Sequence, residues 1–143
     1  MKWQIALVPF VLCFMGHAQD QHADSIKRFA KTAVFAFGGV GFAGITSEGE
    51  KEFHVIMALP TAAEDFEKIY AIGNPEARSY ALVGIRELNS VRFKELLTSL
   101  HGSAQQVVTM EGCIMQRRTL AKIAQDIDSG QYDSWLKLRE RTH

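Results

Sequence analysis

Residues 74–88 read NPEARSYALVGIREL, and this stretch decides the fold class. Asn74 offers a side-chain oxygen to the open N–H groups of a helix start, and Pro75 stands at the first helical position, where a missing N–H costs nothing. Behind them Ala77, Ala81, Gly84, Ile85 and Leu88 recur at 0, 4, 7, 8 and 11, which is one helical face. That face lacks bulk, so another helix can approach it closely.

The punctuation continues on both sides. Upstream, Ser47 with Glu50 makes a capping box ahead of Phe53, Ile56 and Met57, and Pro60 stops the turn. Thr61 with Glu64 repeats the device, followed by Ala62, Phe66, Ile69 and Tyr70 on one face and Gly73 as terminator. Downstream, Asn89 or Ser90 opens a helix carrying Phe93, Leu96, Leu97 and Leu100, ended by Gly102. Short connections between helices of this length make antiparallel neighbours the cheapest arrangement. The expected fold is mainly α: stacked antiparallel helical hairpins.

Two segments break the helical pattern. From Thr32 to Thr46 there is no charge, and Gly38, Gly39, Gly41 and Gly44 alternate with Phe35, Phe37, Val40 and Phe42. Glycine at that density disfavours a helix, while the aromatics and valines favour burial, so a buried extended segment with tight bends is expected. After Gly102, the β-branched Val107, Val108 and Thr109, a bend at Glu111 and Gly112, and the apolar Cys113, Ile114 and Met115 predict a strand or small hairpin paired with the Gly-rich segment. Helix returns with Leu120, Ile123, Ala124 and Ile127, breaks at Asp128 to Gly130, and resumes with Tyr132, Trp135 and Leu136. Arg139, Arg141 and His143 suit a fraying helical end.

The N-terminus reads as an export signal over residues 1–18. Met1 and Lys2 start it, Ile5 to Met15 form an uncharged apolar run, and Gly16 and Ala18 flank His17 before the expected cut. That run is well short of the roughly 20 residues a bilayer span needs. Lipidation at Cys13 is disfavoured by Leu12, where a small residue belongs. Residues 19–33 form a polar lead-in or short helix, with Ile26, Phe29, Ala30 and Ala33 behind Asp24 as cap, and residues 34–143 form a single mainly helical domain. Loss of residues 1–18 removes one cation, Lys2, and leaves 15 Lys plus Arg against 16 Asp plus Glu. A balanced, mixed surface offers nothing to nucleic acid, and the mature form carries no expected membrane span.

Taken together, FGGVGFAG (37–44), TSEGE (46–50), SYALVGIREL (79–88) and TMEGC (109–113) resemble segments of small exported bacterial proteins of unknown function, over Phe35 to Cys113. The resemblance implies a shared fold and carries over no catalytic residue. Asn74 to Leu88 is also similar to one helix of a HEAT-type repeat. A full array is excluded, because the mature chain holds too few repeats and the Gly-rich and TMEGC segments lie outside any repeat period.

Candidate chemistry is sparse. Gly39, Gly41 and Gly44 satisfy GxGxxG, and Asp65 follows at a suitable distance, but Asp65 falls inside a predicted helix and no second parallel strand follows. Asp126, Asp128 and Gly130 lack the glycine and glutamate spacing of a calcium loop, where Gln131 and Lys137 stand instead. Glu50 and His54 share a helical face, yet no further ligand sits at metal spacing, so His54 reads as a surface histidine beside a carboxylate. Glu48, Glu52, Glu64 and Glu67 mostly accompany helix starts, where they offset the dipole. Cys113, the only cysteine of the mature chain, has no disulfide partner and reads as a small buried hydrophobe.

The expected function is therefore that of an exported, periplasmic or secreted, binding or interaction module without catalytic activity, cofactor or metal. A groove between helical hairpins or the Gly-rich segment would take a protein or small-molecule partner. The alternative is a thiol-dependent enzyme or hydrolase using Cys113 with His54 or His101, which requires the thiol and an imidazole to meet in one cleft.

Overall fold

A computed structural model describes residues 13–137, and the side chains of residues 20–136. In chain order its elements are α1 (Cys13–Phe29), β1 (Gly39–Val40), β2 (Ile45–Thr46), α2 (Glu48–Met57), α3 (Ala62–Ile72), α4 (Pro75–Leu88), α5 (Ser90–Ser99), β3 (Gln106–Glu111), β4 (Ile114–Thr119), α6 (Leu120–Asp128) and α7 (Asp133–Lys137). The protein is mainly helical, with two small antiparallel strand pairs, β1 with β2 and β3 with β4. Most of the expected signal, residues 1–12, and Arg139, Arg141 and His143 lie outside the described residues.

Helix α4 is the centre of the fold. Asn74 caps it by accepting from the Ala77 N–H at 2.9 Å, and Pro75 opens it as its sequence predicts. Residues 79–85 are buried without interruption, so α4 is covered on every side for two turns. Its small seam does what lack of bulk allows: a Cβ on Gly84 would stand 2.4 Å from the Phe66 ring of α3. Leu88 departs from the pattern and is exposed, because α4 has already reached the surface there.

The other helices pack their apolar stripes on this pair. Phe53 and Ile56 of α2, Phe93, Leu96 and Leu100 at α5, and Leu120, Ile123, Ala124 and Ile127 of α6 all enter one core. Ile26, Phe29 and Ala30 do the same, so residues 19–29 belong to a packed helix and are no mere polar lead-in. Ala33 lies beyond that helix and is exposed, and Asp24 sits within it, so Asp24 is no cap. α1 runs parallel to α3: His22 meets Asp65 at one end, and the Asn74 N–H donates to Ala30 O at 2.9 Å at the other.

Two capping boxes form differently from the sequence expectation. Ser47 Oγ accepts from the Glu50 N–H at 3.1 Å, but the Glu50 carboxylate takes the buried Gly38 N–H at 2.9 Å in place of the helix start. Thr61 makes no cap bond; its hydroxyl donates to Asp65 Oδ2 at 2.7 Å. In each case a longer-range partner outcompetes the local one.

The Gly-rich segment is anchored by Tyr80. Its hydroxyl accepts from the Ala36 N–H at 3.0 Å and donates to Ala36 O at 2.7 Å. Its ring lies among Phe29, Phe35, Phe37 and Phe53, with centroid separations of 4.8–6.1 Å. Burial pushes the phenol up to about 12, against the lesser opposing effect of the Ser47 and Ala36 hydrogen bonds. Phe35 then pairs with β3 in parallel: its N–H donates to Val108 O at 2.9 Å, and the Met110 N–H donates to Phe35 O at 3.2 Å. The expected pairing of the two irregular segments is therefore present.

Candidate functional site

Beyond Phe37 the Gly-rich segment leaves the core. Gly41 and Gly44, both at positive φ, turn the chain between β1 and β2, and the four-residue excursion carries Phe42 into solvent. Phe42 is 103 % exposed and Ile45 62 %, which corrects the expectation that the aromatics of this segment are all buried. Phe35 and Phe37 satisfy it. Phe42 cannot, because the turn that the glycines permit points outward from the core.

A second loop meets this one. The Gly41 N–H donates to Gly112 O at 2.8 Å, and Val40 bridges Gly112, so the β1–β2 turn and the β3–β4 turn are joined backbone to backbone. Next to that joint Ile114 is 62 % and Met115 61 % exposed. Phe42, Ile45, Ile114 and Met115 thus put four large apolar side chains into solvent on two turns that share a backbone joint. The outer edge of β4 adds hydrogen-bonding capacity. Val108 and Met110 of β3 turn their backbone groups away from β4, Val108 O and the Met110 N–H to Phe35 and the Val108 N–H to Glu76, so the residues facing them, Arg117 and Met115, turn theirs away from β3. Among the described residues those outward groups of β4 have no backbone partner.

Cys113 occupies the β3–β4 turn and is exposed, which overturns its reading as a buried hydrophobe. The two-residue loop between Glu111 and Ile114 leaves its side chain no wall to pack on. Its flanking apolar residues, which suggested burial, are themselves part of the exposed tip. No hydrogen bond joins Cys113 to His54 or His101 among the described residues. His101 is exposed just past the end of α5. His54 lies 3.7 Å from Glu50, with Phe53 at 5.3 Å and Phe37 at 6.5 Å between ring centroids, and is more buried than a surface histidine. An exposed thiol predicts that iodoacetamide labels native and denatured protein at similar rates, and that Cys113→Ser changes stability by less than about 0.5 kcal/mol. Strong native-state protection from labelling would contradict this placement.

The other sequence candidates are structural. Asp126 is held by Arg118 and by Lys122 at 2.8 Å, and Asp128 by Lys94, so both carboxylates of the calcium-like stretch already have cations. Gly39 pairs with Thr46 in the β1–β2 ribbon, and no helix start follows Gly44 directly to hold a pyrophosphate. Among the described residues no three His, Cys, Asp or Glu side chains are grouped to hold a metal ion.

Sequence reasoning missed one polar cluster. Asp65 is fully buried in the first turn of α3, accepting from Thr61 and lying 3.0 Å from His22 Nε2, with Lys68 Nζ at 3.7 Å. A buried carboxylate needs such partners, and here they tie α1 to α3. His22 stands 43 positions away, so no local pattern could reveal the pair. No family model, curated protein or solved structure matches this chain.

Proposed function

We propose that the protein is an exported, non-enzymatic interaction module, and that the joined β-turn tip is its contact face. The observation that carries the reading is that Phe42, Ile45, Ile114 and Met115 are all exposed on two turns fixed to each other by the Gly41–Gly112 backbone bond. Apolar anchors supply affinity when a partner removes them from water, at about 25 cal/mol per Å² buried. The open edge of β4 supplies register, because an extended segment of a partner polypeptide can complete its hydrogen bonds. The resemblance of FGGVGFAG and TMEGC to segments of small exported proteins fits the same face, since these two stretches build it. Export follows from residues 1–18; a cut after Ala18 would leave Gln19–Phe29 of α1 to pack on α3.

A photo-crosslinking residue placed at position 42 or 114 in the full chain, expressed in its native cell, tests this directly. The expected result is one discrete protein adduct from either position, recovered from the envelope or medium with its N-terminus at Gln19, and none from position 99 on α5. Adducts that are equally abundant from position 99, or that persist when Met115→Asp is added, would overturn the tip as the contact face. Sedimentation velocity of the wild type against Phe42→Ser shows whether the partner is a second copy.

A further inference from the structure

The parallel pair α1 and α3 leaves a groove of about 810 Å³ that shares no residue with the tip. Its floor is apolar: Ile26 from α1, Leu59 from the connection before α3, and Ala71 and Ile72 at the far end of α3. From Thr61 to Ile72 it follows α3 for about 16 Å at 1.5 Å per residue. Its cationic groups are Lys27 and Lys68. We infer that this groove is a binding site for a single-chain amphiphile, an alkyl chain ending in a carboxylate or comparable anionic head.

Length and volume suit a single extended chain. A single alkyl chain fits the length and leaves the volume within the range of small-ligand cavities, about 300–1,000 Å³. The isoleucine, leucine and alanine surface then loses its contact with water, which favours binding without directional demands.

Charge selects the head. Asp65 is buried and occupied by Thr61, His22 and Lys68, so it presents no free carboxylate to a ligand. The two lysines are loosely held. Lys27 reaches Asp24 at 3.6 Å with its side chain 70 % exposed, and Lys68 reaches Asp65 at 3.7 Å while 59 % exposed. Both distances exceed a good charge-assisted hydrogen bond, about 2.7–2.9 Å, so either ammonium can swing to a bound anion. Glu64 is the one exposed carboxylate in the lining, and it disfavours a head that approaches the start of α3. The anionic head therefore belongs near Lys27 and Lys68, with the chain over Ile26, Ala71 and Ile72.

Calorimetric titration of the mature chain with sodium dodecanoate below its micelle concentration tests the site, with acetate, dodecyltrimethylammonium and phosphatidylglycerol vesicles as comparisons. One dodecanoate per chain is expected, with no detectable acetate binding and at least about tenfold weaker binding of the cationic amphiphile. Ala71→Trp, which fills the groove from an exposed position, should abolish dodecanoate binding. Lys27→Glu with Lys68→Glu should weaken dodecanoate at least about tenfold and leave the cationic amphiphile unweakened. Circular dichroism melts confirm that the variants remain folded. Equal affinity for both head charges, binding that survives Ala71→Trp in folded protein, or binding to vesicles without binding to free dodecanoate would each overturn the assignment. Loss of the tip by Phe42→Ser leaves this titration unchanged, so failure here and failure of the contact face are separately readable.

Discussion

Gly84→Leu is expected to unfold the protein, and Gly84→Ala to destabilise it, although alanine is the better helix former by about 1 kcal/mol. The reason is the Phe66 ring, 2.4 Å from where a Cβ would stand and itself fully buried. Neither partner can retreat: α4 is covered on every side here, and Phe66 is packed against Phe53 with ring centroids 5.3 Å apart. Overpacking of this kind costs about 1–3 kcal/mol for a small excess and more for a large one, against a total stability of about 5–15 kcal/mol for a domain. Chemical denaturation gives the midpoint shift. Phe66→Leu makes room, so in the double mutant Gly84→Ala should cost less than it does alone. A rise in stability for Gly84→Ala in the wild-type background would show that the helices are not in this contact.

The second large effect is at Tyr80. Tyr80→Phe removes the hydroxyl that serves both backbone groups of Ala36, leaving the buried Ala36 N–H without its partner while Ala36 O keeps the Ser47 hydroxyl at 3.1 Å, at an expected cost of about 1–3 kcal/mol. Tyr80→Ala also empties the space among four phenylalanines and should cost about 3–5 kcal/mol. The pH dependence has a definite sign. A folded-state phenol pushed up to about 12 from 10 holds its proton more tightly than the unfolded chain does. Its contribution is complete below pH 10 and is lost as pH rises from 10 through about 12, a loss of the order of 2 kcal/mol. Tyr132, also pushed up to about 12 by burial, acts in the same direction and more weakly because more of it meets solvent. Denaturation midpoints between pH 8 and pH 11.5 should fall steeply for the wild type and less steeply for Tyr80→Phe. Parallel curves would place the hydroxyl outside the core.

What could be read from the chain followed the range of the interactions involved. Asn74, Pro75 and the small seam of α4 are local signals backed by burial, and the helix they specify is present. Thr61 and Glu64 are an equally good local signal that failed, because the buried Asp65 takes the Thr61 hydroxyl. Glu50 is shared between levels: the sequence shows its helix and cannot show that its carboxylate leaves for Gly38. At the tip the β3–β4 bend was legible from Glu111 and Gly112. The exposure of Phe42, Ile114, Met115 and Cys113 was not, since hydrophobicity predicts burial for each residue taken singly. The Gly41–Gly112 bond, between segments far apart in the chain, is what joins the two turns that carry these residues.

That bond also separates two kinds of heredity in the molecule. The helices are constrained by one another, residue against residue, as Gly84 and Phe66 are. The side chains at the tip touch little of the core, and backbone groups hold the two turns together whatever side chains they carry. Lineages could therefore exchange the residues at positions 42, 45, 114 and 115, and with them the identity of a partner, while every helix stayed in place. The same freedom makes the tip a natural position for randomised libraries on an otherwise fixed scaffold.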